Sequence, residues 1–296
     1  MATLYTQQSN NVWKTWLLMT VFFVIITLLG FFFSQRYGNP NFLYLFFGIS
    51  ILMNIGAYWF SDKIVLSLSS AKEVKREEYF DLYTAVENLS ITAGLPMPKV
   101  YVIEDSAPNA FATGRDKNHA VVAVSTGLLS IMNKTELEGV VAHELSHIGN
   151  RDILLSTVIV VLVGLVSIVS DMMIRMSIFG GRDREDRSGG GVIAIIGIIF
   201  SILAPIFAML IQLAISRKRE FLADASASLL TRYPEGLASA LEKLQNYSAP
   251  MNHQSSAIAH LYISDPKGVS FGKKVSGLFS THPPLEDRIR ILREMK

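Results

Sequence analysis

The chain has 296 residues, half of them apolar, a positive mean hydropathy and a formal net charge of only +2. It is too apolar for an ordinary soluble domain of this size, and the near-balanced charge gives no reason to expect a nucleic-acid partner. It has no cysteine, which excludes disulfides and any Cys-ligated zinc.

The first elements are two uncharged apolar runs, Trp16 to Phe33 and Phe42 to Phe60. Each approaches the roughly 20 residues that cross a bilayer core. The first does not read as a cleaved signal, because its apolar part exceeds the roughly 7–15 residues of a signal core, its only basic flank is Lys14, and a second span follows at once. Residues 1–60 therefore read as an N-terminal membrane hairpin with spans at about 16–33 and 42–60.

A polar block, 61–152, comes next. Lys72 to Ala93 reads as a helix with Leu82, Val86 and Leu89 at helical spacing, ended by Gly94 and the prolines Pro96 and Pro98. PKVYVIED, NAFATG and HAVVAVS then read as three short strands separated by turn residues. Thr135 to Glu138 (TELE) has the form of a capping box opening the helix that carries VVAHELSHIGNRD, Val140 to Asp152.

Two further spanning candidates follow at 153–174 and 192–215, the first with one charge, Asp171, and the second with none, though it contains Pro205 and Gln212. They form a second membrane hairpin, 153–215, whose connection RMSIFGGRDREDRSGG is rich in Gly and Arg. The last block, 216–296, carries two helices expected on the domain surface, Glu235 to Tyr247 and Leu285 to Met295. An even number of spans puts the two polar blocks on one side, where they form the two parts of a single catalytic domain. Lys63, Lys72, Lys75, Arg76, Arg151, Arg217, Lys218 and Arg219 near the span ends favour the cytoplasmic side, with the four arginines of the second connection pulling the other way. The expected fold is a mainly helical α+β membrane protein: four transmembrane helices and a catalytic domain with a small β-sheet.

The chemistry sits in His143, Glu144 and His147, an H-E-x-x-H pattern. The histidines are i and i+4, so they share a helix face and can hold one zinc ion. Glu144 can lean over the site without ligating and act as general base. A catalytic zinc needs a third protein ligand from the same side of the membrane. Asn150 and Ile153 stand where one long zincin pattern requires Gly and His, so that class is excluded. Asp171, Asp183, Glu185 and Asp186 fall on or near the opposite side. Glu220 and Asp224 remain, again i and i+4, in SRKREFLADASA after the fourth span. If both catalytic helices run straight into their spans, His147 and Glu220 lie level, each ~10 Å from the membrane boundary at 1.5 Å per residue. Spacing does not choose between Glu220 and Asp224. It suggests one as ligand and the other as acceptor for a histidine N–H.

HELSH, RKREFLADASA and THPPLEDRI, with NAFATG upstream, resemble the HtpX family of membrane zinc metalloproteases, relatives of the CAAX prenyl proteases, over nearly the whole chain. The resemblance implies a zincin-like catalytic domain and one zinc ion per subunit, held by His143, His147 and Glu220. It implies Glu144 as catalytic base and a supporting role for Asp224. It places the strand of Asn109, Ala110 and Phe111 along the substrate cleft, where an extended peptide adds to an exposed edge. It also favours His282 as a donor to the oxyanion of the tetrahedral intermediate, with Arg288 doing the same or holding an acid. His119, His253 and His260 read as structural.

These readings converge on a prokaryotic plasma-membrane endopeptidase whose catalytic domain faces the cytoplasm. It would hydrolyse unfolded or misfolded membrane proteins at the lipid surface, in line with the quality-control role of the family. The alternatives are a CAAX-type or intramembrane protease, against which the four spans argue, and a non-catalytic zinc-binding scaffold, against which the intact Glu144 argues.

Overall fold

The computed structural model describes residues 4–162, 164, 217–247, 249–252, 258–264 and 283–295. Helices α1 (Leu4–Tyr37) and α2 (Asn41–Trp59) form a hairpin closed at Gly38, which adopts φ +63°, with Asn39 Oδ1 accepting from the Asn41 amide. Two helices among the described residues are long and apolar enough to cross a membrane, and they are these two. Leu28, Phe31, Phe32, Leu45 and Leu52 are exposed on them, the arrangement expected when lipid replaces protein as the apolar neighbour. The expected third span is described only to residue 164. The rest of it, the fourth span and the Gly/Arg connection lie outside the described residues.

After α3 (Ser61–Leu68) the chain builds a four-stranded sheet from β1 (Lys72–Glu73), β2 (Lys99–Ile103), β3 (Ala110–Gly114) and β4 (Ala120–Ser125). Its order is β1-β2-β4-β3: β1 runs antiparallel to β2, β2 parallel to β4, and β3 antiparallel to β4 at the edge. The helix expected from Lys72 starts later. Lys72 and Glu73 pair with β2, and α4 (Phe80–Ala93) begins where apolar residues recur. The reason is composition. KREEY offers no apolar stripe to bury, whereas Leu82, Ala85, Val86 and Leu89 do. Cross-strand charge pairs hold the short strand, Lys72 to Glu104 at 2.8 Å and Lys99 to Glu73 at 3.1 Å.

The short helix α5 (Thr126–Ile131) leads into α6 (Lys134–Gly149), which crosses the core. Its capping box lies two residues earlier than TELE suggested. Asn133 Oδ1 accepts from the Glu136 amide at 3.0 Å, and Glu136 Oε2 accepts from the Asn133 amide at 2.8 Å. Asn133 wins over Thr135 because the Thr135 hydroxyl is itself donated to Asn133. Lys243 then donates to Glu136 at 2.6 Å and ties α6 to α9 (Pro234–Asn246).

Leu137, Val140, Val141, Ala142, Leu145 and Ile148 of α6 share one buried cluster with α4, with the sheet, and with α8 (Arg217–Thr231), α9 and α10 (Leu285–Glu294). The two polar blocks thus share a core, and α9 and α10 bury one face each in it. The crossing of α6 and α9 is close: a Cβ on Gly139 would come within 2.6 Å of the Leu237 amide nitrogen, and one on Gly236 within 2.7 Å of the Thr135 carbonyl oxygen. Only glycine fits there.

Helix α6 does not run straight toward the membrane. It stops at Gly149, Arg151 adopts φ +58°, and α7 (Asp152–Leu162) leaves at 84°. The straight continuation expected from the apolar run is therefore corrected. A single left-handed residue breaks the α ladder, and α7 turns to pack Leu154, Leu155, Val158, Ile159 and Leu162 on Leu18, Met19 and Phe22 of α1.

Candidate metal centre

Helix α6 presents His143, Glu144 and His147 toward α8, and α8 presents Glu220 back. One ligand atom from each of His143, His147 and Glu220 fits within 4.8 Å of the others. His143 Nε2 and His147 Nε2 are 3.2 Å apart, His143 Nε2 lies 3.7 Å from Glu220 Oε2, and His147 Nε2 lies 3.6 Å from Glu220 Oε1. Ligands ~2.0–2.1 Å from one tetrahedral zinc sit roughly 3.3 Å from each other, so the cage has the right size.

Each histidine has a carboxylate on its other ring nitrogen. His143 Nδ1 donates to Asp224 Oδ1 at 2.9 Å, and His147 Nδ1 donates to Asp152 Oδ2 at 3.1 Å. Both Nε2 atoms are thereby left to face the cage, the arrangement that fixes tautomer and orientation in metal-binding histidines. The pair that spacing left undivided is now divided: Glu220 faces both Nε2 atoms, while Asp224 lies behind His143.

Asp224 is gripped by Arg288, with Nε to Oδ2 at 2.8 Å and Nη2 to Oδ1 at 2.6 Å. Arg288 is completely buried, and its Nη1 lies 3.4 Å from Glu220 Oε2. Of the two roles weighed for it, holding an acid is the one its position allows.

The electrostatics also suit a cation. Among the described residues, four buried carboxylates surround the cage, those of Glu144, Asp152, Glu220 and Asp224, against the two buried guanidiniums of Arg219 and Arg288. Uncompensated buried charge is costly, and a divalent cation balances the excess. Burial, helped by Arg288, pushes the His143 imidazole down to about 4, so it stays neutral and able to ligate. Burial alone would also lower His147, but its bond to Asp152 and the charge of Glu220 raise it to about 9. A field that favours a proton there favours a metal cation in its place. Burial would raise Asp224, yet Arg288 and His143 hold its carboxyl at about 2.

Glu144 does not join the cage. Burial pushes its carboxyl up to about 7, Glu220 adding to the rise, with His147, Arg288 and the Ala112 amide opposing it. A carboxyl poised near neutral pH is suited to taking and returning a proton. It lines a cavity of about 40 Å³ together with Ala112, His143, His147 and Glu220. At roughly 10–15 Å³ per water, that admits a few water molecules.

The expected cleft residues are placed less directly. Ala112 lines the cavity, whereas Asn109, Ala110 and Phe111 are buried and do not. Asn109 bonds the Ser264 backbone in both directions, the Ala110 carbonyl accepts from the Ile263 amide at 2.9 Å, and Phe111 stacks edge-on against Tyr262. The segment around Ile263 thus covers one end of the β3 edge. His282 and His253 lie outside the described residues. His260, read as structural, lines the cavity with His143 and His147. A single histidine in AHLYI has no spacing partner to betray that position.

Comparison with known proteins gives the family. Residues 76–296 match the profile of peptidase family M48. The chain is 47% identical to the protease HtpX homolog of Thermoanaerobacter pseudethanolicus over 300 residues, covering 99% of this chain and 98% of that one. It is 46% identical to the protease HtpX homolog of Tropheryma whipplei over 296 residues, with the same coverage of each chain. The crystal structure of S. mikatae Ste24p shares the fold, with a TM-score of 0.50, 19% identity, and coverage of 97% of this chain and 67% of that one. The chain belongs to peptidase family M48, within its HtpX group, and is a membrane metalloprotease.

Proposed function

We propose that the protein is a zinc-dependent endopeptidase that cuts unfolded or misfolded membrane proteins where they meet the lipid surface. One zinc ion per chain would be held by His143, His147 and Glu220. The observation that carries this is the cage itself: three ligand atoms at zinc spacing, both histidines oriented by carboxylates, and Glu144 beside them on the same helix turn. When bound, the metal polarises the scissile carbonyl and acidifies the attacking water.

The chain's own residues supply the rest. Glu144 takes a proton from the attacking water and returns it to the leaving amine nitrogen. Asp224 and Asp152 hold the two imidazoles in place. Arg288 keeps Asp224 ionised from within the core. An extended substrate would add to the β3 edge at Ala112, next to Asn109, Ala110 and Phe111, and His282 would donate to the oxyanion.

Lipid-surface substrates are supported by the packing of the site against α1. Helix α7 leaves the cage and lies on that apolar helix, and Gln8 of α1 donates to the Gly149 carbonyl of α6. With 61–152 and 216–296 on the cytoplasmic side, as the flanking Lys and Arg favour, the peptides met there are loops and tails emerging from the bilayer. The test is reconstitution in liposomes with two substrates, a membrane protein bearing an unfolded exposed loop and a single transmembrane helix with short tails. Cleavage in the loop is expected. Cleavage confined to the transmembrane segment, or to a prenylated peptide, would replace this reading with the intramembrane or CAAX-type one.

A further inference from the structure

The two histidines of the cage are supported from different parts of the molecule. Behind His143 stand Asp224 and Arg288, both in the catalytic core. Behind His147 stands Asp152, the first residue of α7, and behind Asp152 stands a residue of the first membrane helix. Asn11 Nδ2 donates to Asp152 Oδ1 at 2.6 Å, while Asp152 Oδ2 accepts from His147 Nδ1 at 3.1 Å. The same Asn11 amide reaches the Asn150 carbonyl at 3.2 Å, and Gln8 Nε2 reaches the Gly149 carbonyl at 2.7 Å.

These contacts fall on the sharp bend. The last carbonyls of a helix have no partner within it, and here α1 supplies the donors. The bend turns on Arg151, a non-glycine residue at φ +58°, a conformation that persists only when its surroundings hold it. Asp152 follows immediately, so its aim at His147 depends on how the bend is fixed. The only other cation on Asp152 among the described residues is Arg219, and it is looser, with Nη1 at 3.9 Å and no hydrogen bond. Asn11 is 4% exposed although it sits at the polar end of α1, and its own carbonyl accepts from Thr15 Oγ1 at 2.9 Å. A buried asparagine that spends its amide on one carboxylate and one helix terminus is committed to that junction.

We infer that Asn11 is a positioning residue of the metal site: the first membrane helix is part of the catalytic apparatus, holding His147 through Asp152, as well as an anchor. The inference rests on the zinc reading of the cage. It also predicts that zinc occupancy responds to how α1 sits in its membrane, because a displacement of α1 withdraws the support of only one ligand.

The test measures zinc affinity and needs no substrate. Full-length protein in nanodiscs is stripped of metal, and zinc is titrated in competition with a fluorescent chelator. The variants are wild type, Asn11→Ala, Asp152→Ala and the double variant, with Lys14→Ala as a control at an exposed position of the same helix. Residues that orient metal ligands typically contribute 10–100-fold in affinity, so Asp152→Ala should fall in that range and Asn11→Ala near its lower end, roughly tenfold. The double variant should match Asp152→Ala, because Asn11 acts through Asp152. Lys14→Ala should match wild type. Should Asn11→Ala fail to fold, Asn11→Ser takes its place, with a polar side chain too short to make the Nδ2 hydrogen bond to Asp152. Affinity of the Asn11 variant within about twofold of wild type would overturn the inference, as would penalties that multiply in the double variant. A wild type that takes up no zinc refutes the metal centre itself. A wild type that binds zinc no more tightly than Asn11→Ala refutes this inference alone.

Discussion

His143 and His147 lie one helical turn apart and have the same local design, a carboxylate on Nδ1 and Nε2 facing the cage, yet their supports differ in kind. The support of His143 is closed and charged: Asp224 and Arg288, each essentially inaccessible, joined by two short bonds. The support of His147 is lighter and more distributed: Asp152 at a helix bend, a neutral amide from Asn11, and a loosely placed Arg219. The difference predicts that damage to the first will be felt as loss of the fold, and damage to the second as loss of the metal.

The largest effect should come from Arg288→Ala. It leaves Asp224 buried without its guanidinium, and removing one partner of such a pair typically costs ~3–5 kcal/mol. Chemical denaturation of the apo protein should show that loss. Arg288→Lys should recover only part of it, because an ammonium cannot form the two-pronged contact. A melting curve like wild type would mean that the Asp224–Arg288 pair does not bear on stability.

Asp152→Asn should act the other way. It keeps an oxygen for His147 Nδ1 but removes the charge, so zinc affinity should drop roughly tenfold while the denaturation midpoint of the apo protein moves little. If the midpoint falls as far as in Arg288→Ala, the two supports are equivalent and the contrast fails. Gly139→Ala tests the scaffold beneath both. The added Cβ meets the Leu237 backbone at 2.6 Å, which should separate α6 from α9 and cost about 1–3 kcal/mol. The smallest effect is Asn133→Ala, which removes the cap of α6 far from the cage. About 1 kcal/mol of stability and no change in zinc affinity are expected, read from melting and from chelator competition.

The same contrast explains what the sequence disclosed. The pattern of His143, Glu144 and His147 is local to one helix, so spacing nominated these three; Glu220 and Asp224, i and i+4 on another, were nominated by the side of the membrane their block was expected to occupy. Their division into cage and support needed the packing of α6 on α8, which no periodicity records. The three strands were legible because each is a short apolar run between turn residues. Strand β1 was not, because two charged residues become a strand only beside β2. The bend was hidden for a related reason: the helix carrying His147 reads as continuing through Asn150, Arg151 and Asp152 into the apolar run from Ile153, and nothing in Arg151 announces a left-handed backbone. In the sequence Asp152 is only the last polar residue before an apolar run, and nothing singles out Asn11. They are about 140 positions apart, and only the docking of α1 on the bend brings them together. His260 reaches the cavity through a segment with no regular spacing at all.

The most direct measurement compares wild type with Glu144→Gln in detergent, after chelation and again after zinc is restored, on an unfolded protein substrate. Glutamine keeps the shape of the side chain and leaves His143, His147 and Glu220 intact, so both proteins should take up one zinc ion. Cleavage is expected from the wild type alone and only with zinc, the substitution costing on the order of 10²–10⁴-fold in rate. Equal cleavage by both, or zinc-loaded wild type as inert as the variant, would contradict the account that this cage, with Glu144 beside it, is a catalytic centre.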